Sequence, residues 1–108
     1  LDELSLAGGN DVAEVSPSGL VAMRRWSAAD AGLPGHPIEA IRGGDPAHNA
    51  KALRALLQGE AGAYRDAVLF NAAAALVVAG AATDLRSGVE EAEEALDKGL
   101  ANALLNCW

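Results

Sequence analysis

One cysteine, Cys107, stands next to the last of 108 residues. It excludes an internal disulfide, and a reducing, cytoplasmic compartment suits the chain best. Basic residues are scarce: Lys and Arg number 8 against 15 Asp and Glu, for a net charge of −7. That balance argues against a sequence-independent grip on phosphate backbones, which requires clustered cations, so neither nucleic acid nor an anionic membrane surface is an expected partner. No basic start leads into an apolar run with a small-residue cleavage site, so no secretory leader is expected. The most apolar stretch, residues 67–82, is rich in Ala and would extend about 24 Å as a helix. It falls short of the ~20 strongly apolar residues a membrane span needs.

What is present begins with that same stretch. Residues 65–82 read Arg-Asp-Ala-Val-Leu-Phe-Asn-Ala-Ala-Ala-Ala-Leu-Val-Val-Ala-Gly-Ala-Ala, and Ala and Leu favour helix over strand. A helix apolar on all sides is expected to be buried on all sides, which makes this the central core helix. Asn71 interrupts it. An unpaired buried amide costs about 1–3 kcal/mol, so Asn71 is expected to bond the backbone of a neighbouring segment. The length supports one domain with a modest core. Leu1 in place of Met and the apolar Trp108 at the other end give the expectation of a piece of a longer protein.

In chain order, Asp2 and Glu3 form a carboxylate pair flanked by Leu, expected at the end of a short strand before the glycine turn at residues 8–9. Paired carboxylates can hold Mg²⁺ through oxygen and bound water, although an Asp-Glu dipeptide is more often a solvated strand end. Residues 12–16 and 20–26 are β-rich and flank Pro17-Ser18-Gly19, a hairpin signature. Alternation would send Arg24 and Arg25 to opposite faces as solvated edge charges. Ser27 and Asp30 carry cap spacing for a short helical turn that Gly32 ends. His36 falls in a loop stiffened by Pro34 and Pro37 and reads as exposed, while residues 38–42 read as a short strand or extended crossing.

Gly43-Gly44-Asp45-Pro46 has a glycine pair before an acid, as phosphate loops do, but Asp followed by Pro more simply caps and starts a helix. That helix should bury Ala50, Leu53, Leu56 and Leu57 and close at Gln58-Gly59, with His48 in its first turn and no catalytic role. The short turn at residues 60–62 predicts antiparallel or steeply crossed helices on either side. Ser87-Gly88-Val89-Glu90 has the spacing of a capping box. A last helix would bury Val89, Ala92, Leu96, Leu100 and Ala103 and solvate Glu90, Glu91, Glu93, Glu94 and Asp97. Gly99 should weaken it by about 1 kcal/mol, with fraying beyond.

Taken in order, Asp2-Glu3-Leu4-Ser5, the block Gly43-Gly44-Asp45-Pro46-Ala47-His48-Asn49-Ala50, the stretch 65–76, Ala79-Gly80, Gly88-Val89 and the acidic final helix resemble the C-terminal third of anthranilate phosphoribosyltransferase. The resemblance covers essentially residues 1–108, as the C-terminal portion of the enzyme's α/β domain. It implies transfer of the 5-phosphoribosyl group from phosphoribosyl pyrophosphate to anthranilate in tryptophan biosynthesis. In that family the Asp-Glu motif holds Mg²⁺ on the pyrophosphate, which maps the metal ligands onto Asp2 and Glu3. No residue maps to catalysis itself, because the family's Gly-Thr-Gly-Gly-Asp loop, Lys-His-Gly block and anthranilate contacts have no counterpart here.

The implied fold is an α+β fragment of an α/β domain, with a hairpin and short strands packed with three main helices around the buried Ala-rich one. The resemblance further implies a homodimeric parent. The fragment is expected to be inactive and to self-associate through exposed apolar surface. Two rival readings share the general fold: a nucleic-acid-binding relative, which the charge disfavours, and pyrimidine nucleoside phosphorylase, which the Asp-Glu-Leu-Ser stretch disfavours.

Overall fold

The structure is a computed structural model that describes residues 3–106. It is an α+β arrangement, as expected: strands β1 (Asn10–Val15) and β2 (Val21–Trp26), then helices α1 (Pro46–Leu57), α2 (Ala63–Val78), α3 (Leu85–Asp97) and α4 (Leu100–Asn106). Two single-turn 3-10 helices, Ala28–Ala31 and Ile38–Ile41, join the strands to α1.

The strands pair antiparallel from Asn10 opposite Trp26 to Val15 opposite Val21. Gly19, at φ 87°, makes the turn, and its N–H donates to Ser16 O at 2.9 Å. The two arginines do separate: Arg24 pairs with Glu14, and Arg25 reaches Asp11 at 2.8 Å on the other face. All four side chains are well exposed, and exposed pairs contribute at most about 1 kcal/mol each.

Neither the short strand expected to include residues 3–5 nor the short strand or extended crossing expected at 38–42 forms. The first segment bends, and the second is the 3-10 turn Ile38–Ile41. Both reversals have one cause: a strand needs a partner edge, and among the described residues the sheet holds β1 and β2 alone.

Asp45 caps α1 as the sequence suggests, its Oδ1 accepting from His48 N at 2.7 Å with Pro46 at the first helical position. The buried stripe, however, is rotated. Leu56 is buried with Leu57, Ala52 and Ala55 half-buried, while Ala50 and Leu53 face outward. The helix α2 packs chiefly against α3, and the turn that leads into it from α1 passes through Gly59 (φ 88°) and Gly62 (φ 146°).

The start of α3 also differs from the expected one. Its cap is Asp84, whose Oδ1 accepts from Ser87 N at 2.8 Å, so the helix begins one turn before the predicted Ser87 box. At the other end Gly99 adopts φ 73° and stops α3, and Leu100 opens the separate α4 with 59% exposure instead of extending the buried stripe.

The Asp84 carboxyl is held below its ordinary value of 3.8, first by the Ser87 backbone N–H, then by the Ser87 hydroxyl, with Arg86 adding attraction. A depressed folded value means the cap's contribution is complete above the unfolded value and is lost as the pH falls through the folded one. Amide-exchange protection in the first turn of α3 should therefore decline on acidification below pH 3.8. In Asp84→Asn that component should vanish, because the amide cap does not titrate. An unchanged acid profile in Asp84→Asn would show that the charge at this cap is irrelevant.

The core gathers Leu69, Phe70 and Ala73 of α2 with Leu85, Val89 and Leu96 of α3, Leu56 of α1, and Leu6, Ala28, Ala31 and Leu33 from the connecting segments. Expectation and structure part here as well: α2 is central but buried on one side only, with Val78 at 81% exposure. The radius of gyration is 14.7 Å, against about 13 Å for a compact domain of this length. The excess fits the hairpin, whose residues are mostly exposed on both faces.

Candidate functional site

Residues 3–9 form no regular element, yet they are held in place at three points. Leu4 N donates to Asn71 Oδ1 at 2.8 Å, and Asn71 Nδ2 donates back to Leu4 O at 3.2 Å. The same Nδ2 also meets Ala67 O at 2.9 Å, one turn earlier on α2. The expected partner for the Asn71 amide is thus this leading segment. Next, Asn10 receives Ser5 N at 2.7 Å and donates to Ser5 O at 3.0 Å and Trp26 O at 2.9 Å, fastening the hairpin base to the loop. Leu6 is buried, and its carbonyl accepts from His36 N at 3.4 Å.

His36 is not the exposed loop residue that its Gly and Pro neighbours suggest. Its side chain is about three-quarters buried, and Nε2 lies 2.8 Å from Asp66 Oδ2 in the first turn of α2. The carboxylate is favourably placed there, near the positive end of the helix. This contact spans 30 residues, so neither periodicity nor motif spacing could reveal it. Asn10 was equally hidden, because a short polar residue after two glycines reads as turn material.

Arg65 is another such case. Its side chain is 12% exposed and faces Asp97 of α3, with Nη2 donating to Oδ2 at 3.0 Å. Nη1 lies 2.9 Å from Oδ1 but is not aligned for a hydrogen bond and has no other acceptor among the described residues. The pair is therefore held by charge and one good hydrogen bond, not by a bidentate fork.

Of the two predicted metal ligands, Asp2 lies outside the described residues. Glu3 is exposed at the edge of a groove of about 360 Å³, whose walls include Leu4, Ile41, Tyr64, Val68 and Asn71. Carboxylate oxygen is the donor type that Mg²⁺ prefers, and the ion commonly binds through one or two carboxylates with water and substrate phosphate completing its shell. An exposed Glu3 on a pinned backbone fits that use. Among the described residues no group of three or more His, Cys, Asp or Glu is placed to hold a metal alone.

A larger concavity of about 640 Å³ lies between β2 and the start of α3. Its charged groups are already engaged, since Arg24 and Arg25 pair across the hairpin, Asp30 accepts from Ser27 N, and Asp84 caps α3. The smaller groove with Glu3 is the better candidate on chemistry. His48 and the Gly43-Gly44 pair supply local helix-start geometry, with Gly44 N already donating to Asn49 Oδ1 at 2.9 Å.

The model of the glycosyl transferase family, a/b domain, matches residues 1–102. The chain belongs to this family. Anthranilate phosphoribosyltransferase from Sphingopyxis alaskensis is 73% identical over 108 residues, covering 100% of the chain and 32% of that protein. Its namesake from Novosphingobium aromaticivorans is 71% identical over the same length and share. Among solved structures, anthranilate phosphoribosyltransferase from Thermus thermophilus superposes with a TM-score of 0.87 at 37% identity, over 98% of this chain and 31% of that one. The resemblance found in the sequence is borne out, and the chain spans about a third of the length of the relatives it matches. No helix among the described residues is long and apolar enough to cross a membrane.

Proposed function

We propose that this a/b-domain chain is the C-terminal portion of an anthranilate phosphoribosyltransferase, which moves the 5-phosphoribosyl group from phosphoribosyl pyrophosphate to the amine of anthranilate in tryptophan biosynthesis. The observation that carries the reading is the 73% identity sustained across all 108 residues. On this reading Asp2 and Glu3 hold Mg²⁺, and the whole enzyme is a cytoplasmic homodimer. When bound, Mg²⁺ would neutralise the departing diphosphate. The chain's own contribution is to present the Glu3 carboxylate from a segment pinned to α2, and to close the domain with a helical core. Pyrophosphate binding by a glycine-rich loop is not supplied by this sequence, which has no Gly-Thr-Gly-Gly-Asp.

The test is an anthranilate fluorescence assay. The full-length protein carrying these residues should consume anthranilate only with phosphoribosyl pyrophosphate and Mg²⁺ present, and the purified 108-residue chain should show no turnover. Turnover by the short chain would refute its expected inactivity, and a full-length protein indifferent to phosphoribosyl pyrophosphate would refute the reading. The short chain should also self-associate, since Val15, Leu20, Val21, Met23 and Val78 are 62–81% exposed and the hairpin offers open edges. Light scattering checks this, and a monodisperse monomer would count against it.

A further inference from the structure

We propose that Asn71 is a positioning residue for the metal-binding carboxylate of Glu3, acting through the backbone of Leu4. The inference rests on the Mg²⁺ reading given above. Glu3 is adjacent in sequence to the residue that Asn71 grips, and the grip engages both backbone polar groups of that residue: Leu4 N at 2.8 Å and Leu4 O at 3.2 Å. Such two-point pairing is what a neighbouring strand would offer. No strand pairs with residues 3–9 among those described, so the Asn71 amide takes that place.

The amide is itself held, because Nδ2 is shared with Ala67 O at 2.9 Å on the same helix. Leu69 and Phe70, its immediate predecessors, are 1% and 0% exposed, which anchors this part of α2 in the core. A rigid helix therefore fixes the backbone beside an exposed carboxylate at the groove edge. A second tie, from His36 N to Leu6 O at 3.4 Å, is backed by the contact of His36 with Asp66, also on α2. The first tie comes directly from α2 and the second through the His36 loop that α2 holds at Asp66, so together they restrain the backbone from which Glu3 projects.

A hydrogen bond that merely filled the core would affect folding alone, whereas one that aims ligands governs metal affinity, by ~10–100-fold where orienting partners are lost. The test uses the full-length protein carrying this chain. Mg²⁺ is titrated calorimetrically in the presence of inorganic pyrophosphate, for the parent, Asn71→Leu, Glu3→Gln and the double variant, with melting temperatures recorded beside each. Asn71→Leu is expected to raise the Mg²⁺ dissociation constant about tenfold. In turnover it should raise the Mg²⁺ concentration needed for half-maximal rate more than it lowers kcat at saturating Mg²⁺. The double variant should be no weaker in Mg²⁺ binding than Glu3→Gln alone, because a misaimed ligand that is already absent costs nothing more.

If Asn71→Leu lowers the melting temperature but leaves the dissociation constant in place while Glu3→Gln raises it, Asn71 is only a core hydrogen bond and the proposal fails by itself. If Glu3→Gln also leaves Mg²⁺ binding unchanged, the metal reading fails and takes the proposal with it. Should Asn71→Leu not fold, Asn71→Asp carries the same test: it is isosteric and keeps the acceptor for Leu4 N, but it sets an oxygen against Leu4 O.

Discussion

Phe70→Ala should destabilise the fold by about 3–5 kcal/mol, most of what a small domain has in reserve. Phe70 is 0% exposed and Leu69 beside it 1%, in the centre of the cluster joining α2 to α3, α1 and the connecting segments. Removing the ring loses its transfer energy and leaves a cavity that Ala73, Val89 and their neighbours cannot fill by small shifts. The control lies on the same helix. Val78→Ala, at 81% exposure, should change stability by no more than about 0.5 kcal/mol. Urea denaturation of the full-length protein, followed by circular dichroism, measures both. Comparable losses at the two positions would show that α2 is buried on both sides in the assembled protein.

Gly88→Ala should destabilise even though it replaces the poorest ordinary helix former with the best. Helix propensity favours the substitution by about 1 kcal/mol. Against that, a Cβ at Gly88 would lie 2.8 Å from Ala73 Cα, 2.9 Å from its Cβ and 2.9 Å from its carbonyl oxygen. Two of those three atoms are backbone of a packed helix, so no rotamer change relieves the contact, and α2 and α3 must separate. Overpacking of this kind costs typically about 1–3 kcal/mol, which outweighs the propensity gain. Gly88→Val, with two further carbons and a branched Cβ, should fall well beyond Gly88→Ala. The measurement is the shift in urea midpoint at constant slope. A stabilised Gly88→Ala variant would mean that the α2–α3 interface can give by several tenths of an ångström at no cost.

These two positions also mark how far the residues alone could be read. The apolar character of residues 65–82 announces a central helix, but with nearly every side chain apolar there is no periodic contrast to say which side faces the core. Phe70 and Val78 look equivalent until α3 is in place. Gly88 reads as an ordinary helix residue, and nothing local distinguishes it from Gly99, which ends a helix at φ 73°. Its role comes from Ala73, which reaches it only when the two helices pack. The α1 stripe is rotated from the expected one for the same reason: Ala50, Ala52, Leu53 and Ala55 permit more than one apolar face, and the choice fell to α4 and the core cluster.

The candidate site divides in the same manner. Asp2 and Glu3 stand out because adjacent hard carboxylates beside apolar residues have a recognisable use, and Asn71 because an amide in an apolar run must find a partner. That the partner is Leu4, so that the two signals meet, is a fact of tertiary structure. His36 with Asp66 and Arg65 with Asp97 remained invisible, being side-chain contacts between residues 30 and 32 positions apart.

Local chemistry alone determined the hairpin turn at Gly19, the Asp45-Pro46 helix start, the helical state of most of residues 65–82, although α2 ends at Val78 and Gly80 turns at φ 75°, and the need of Asn71 for a backbone partner. Each depends on interactions within a few residues, where the side chain and its neighbours in the chain are sufficient. The exposed side of α2, the close approach at Gly88, the irregular course of residues 3–9 and the union of Glu3 with Asn71 were decided only by the folded whole. They depend on which surfaces meet, and burial is a property of pairs of elements, absent from either one alone.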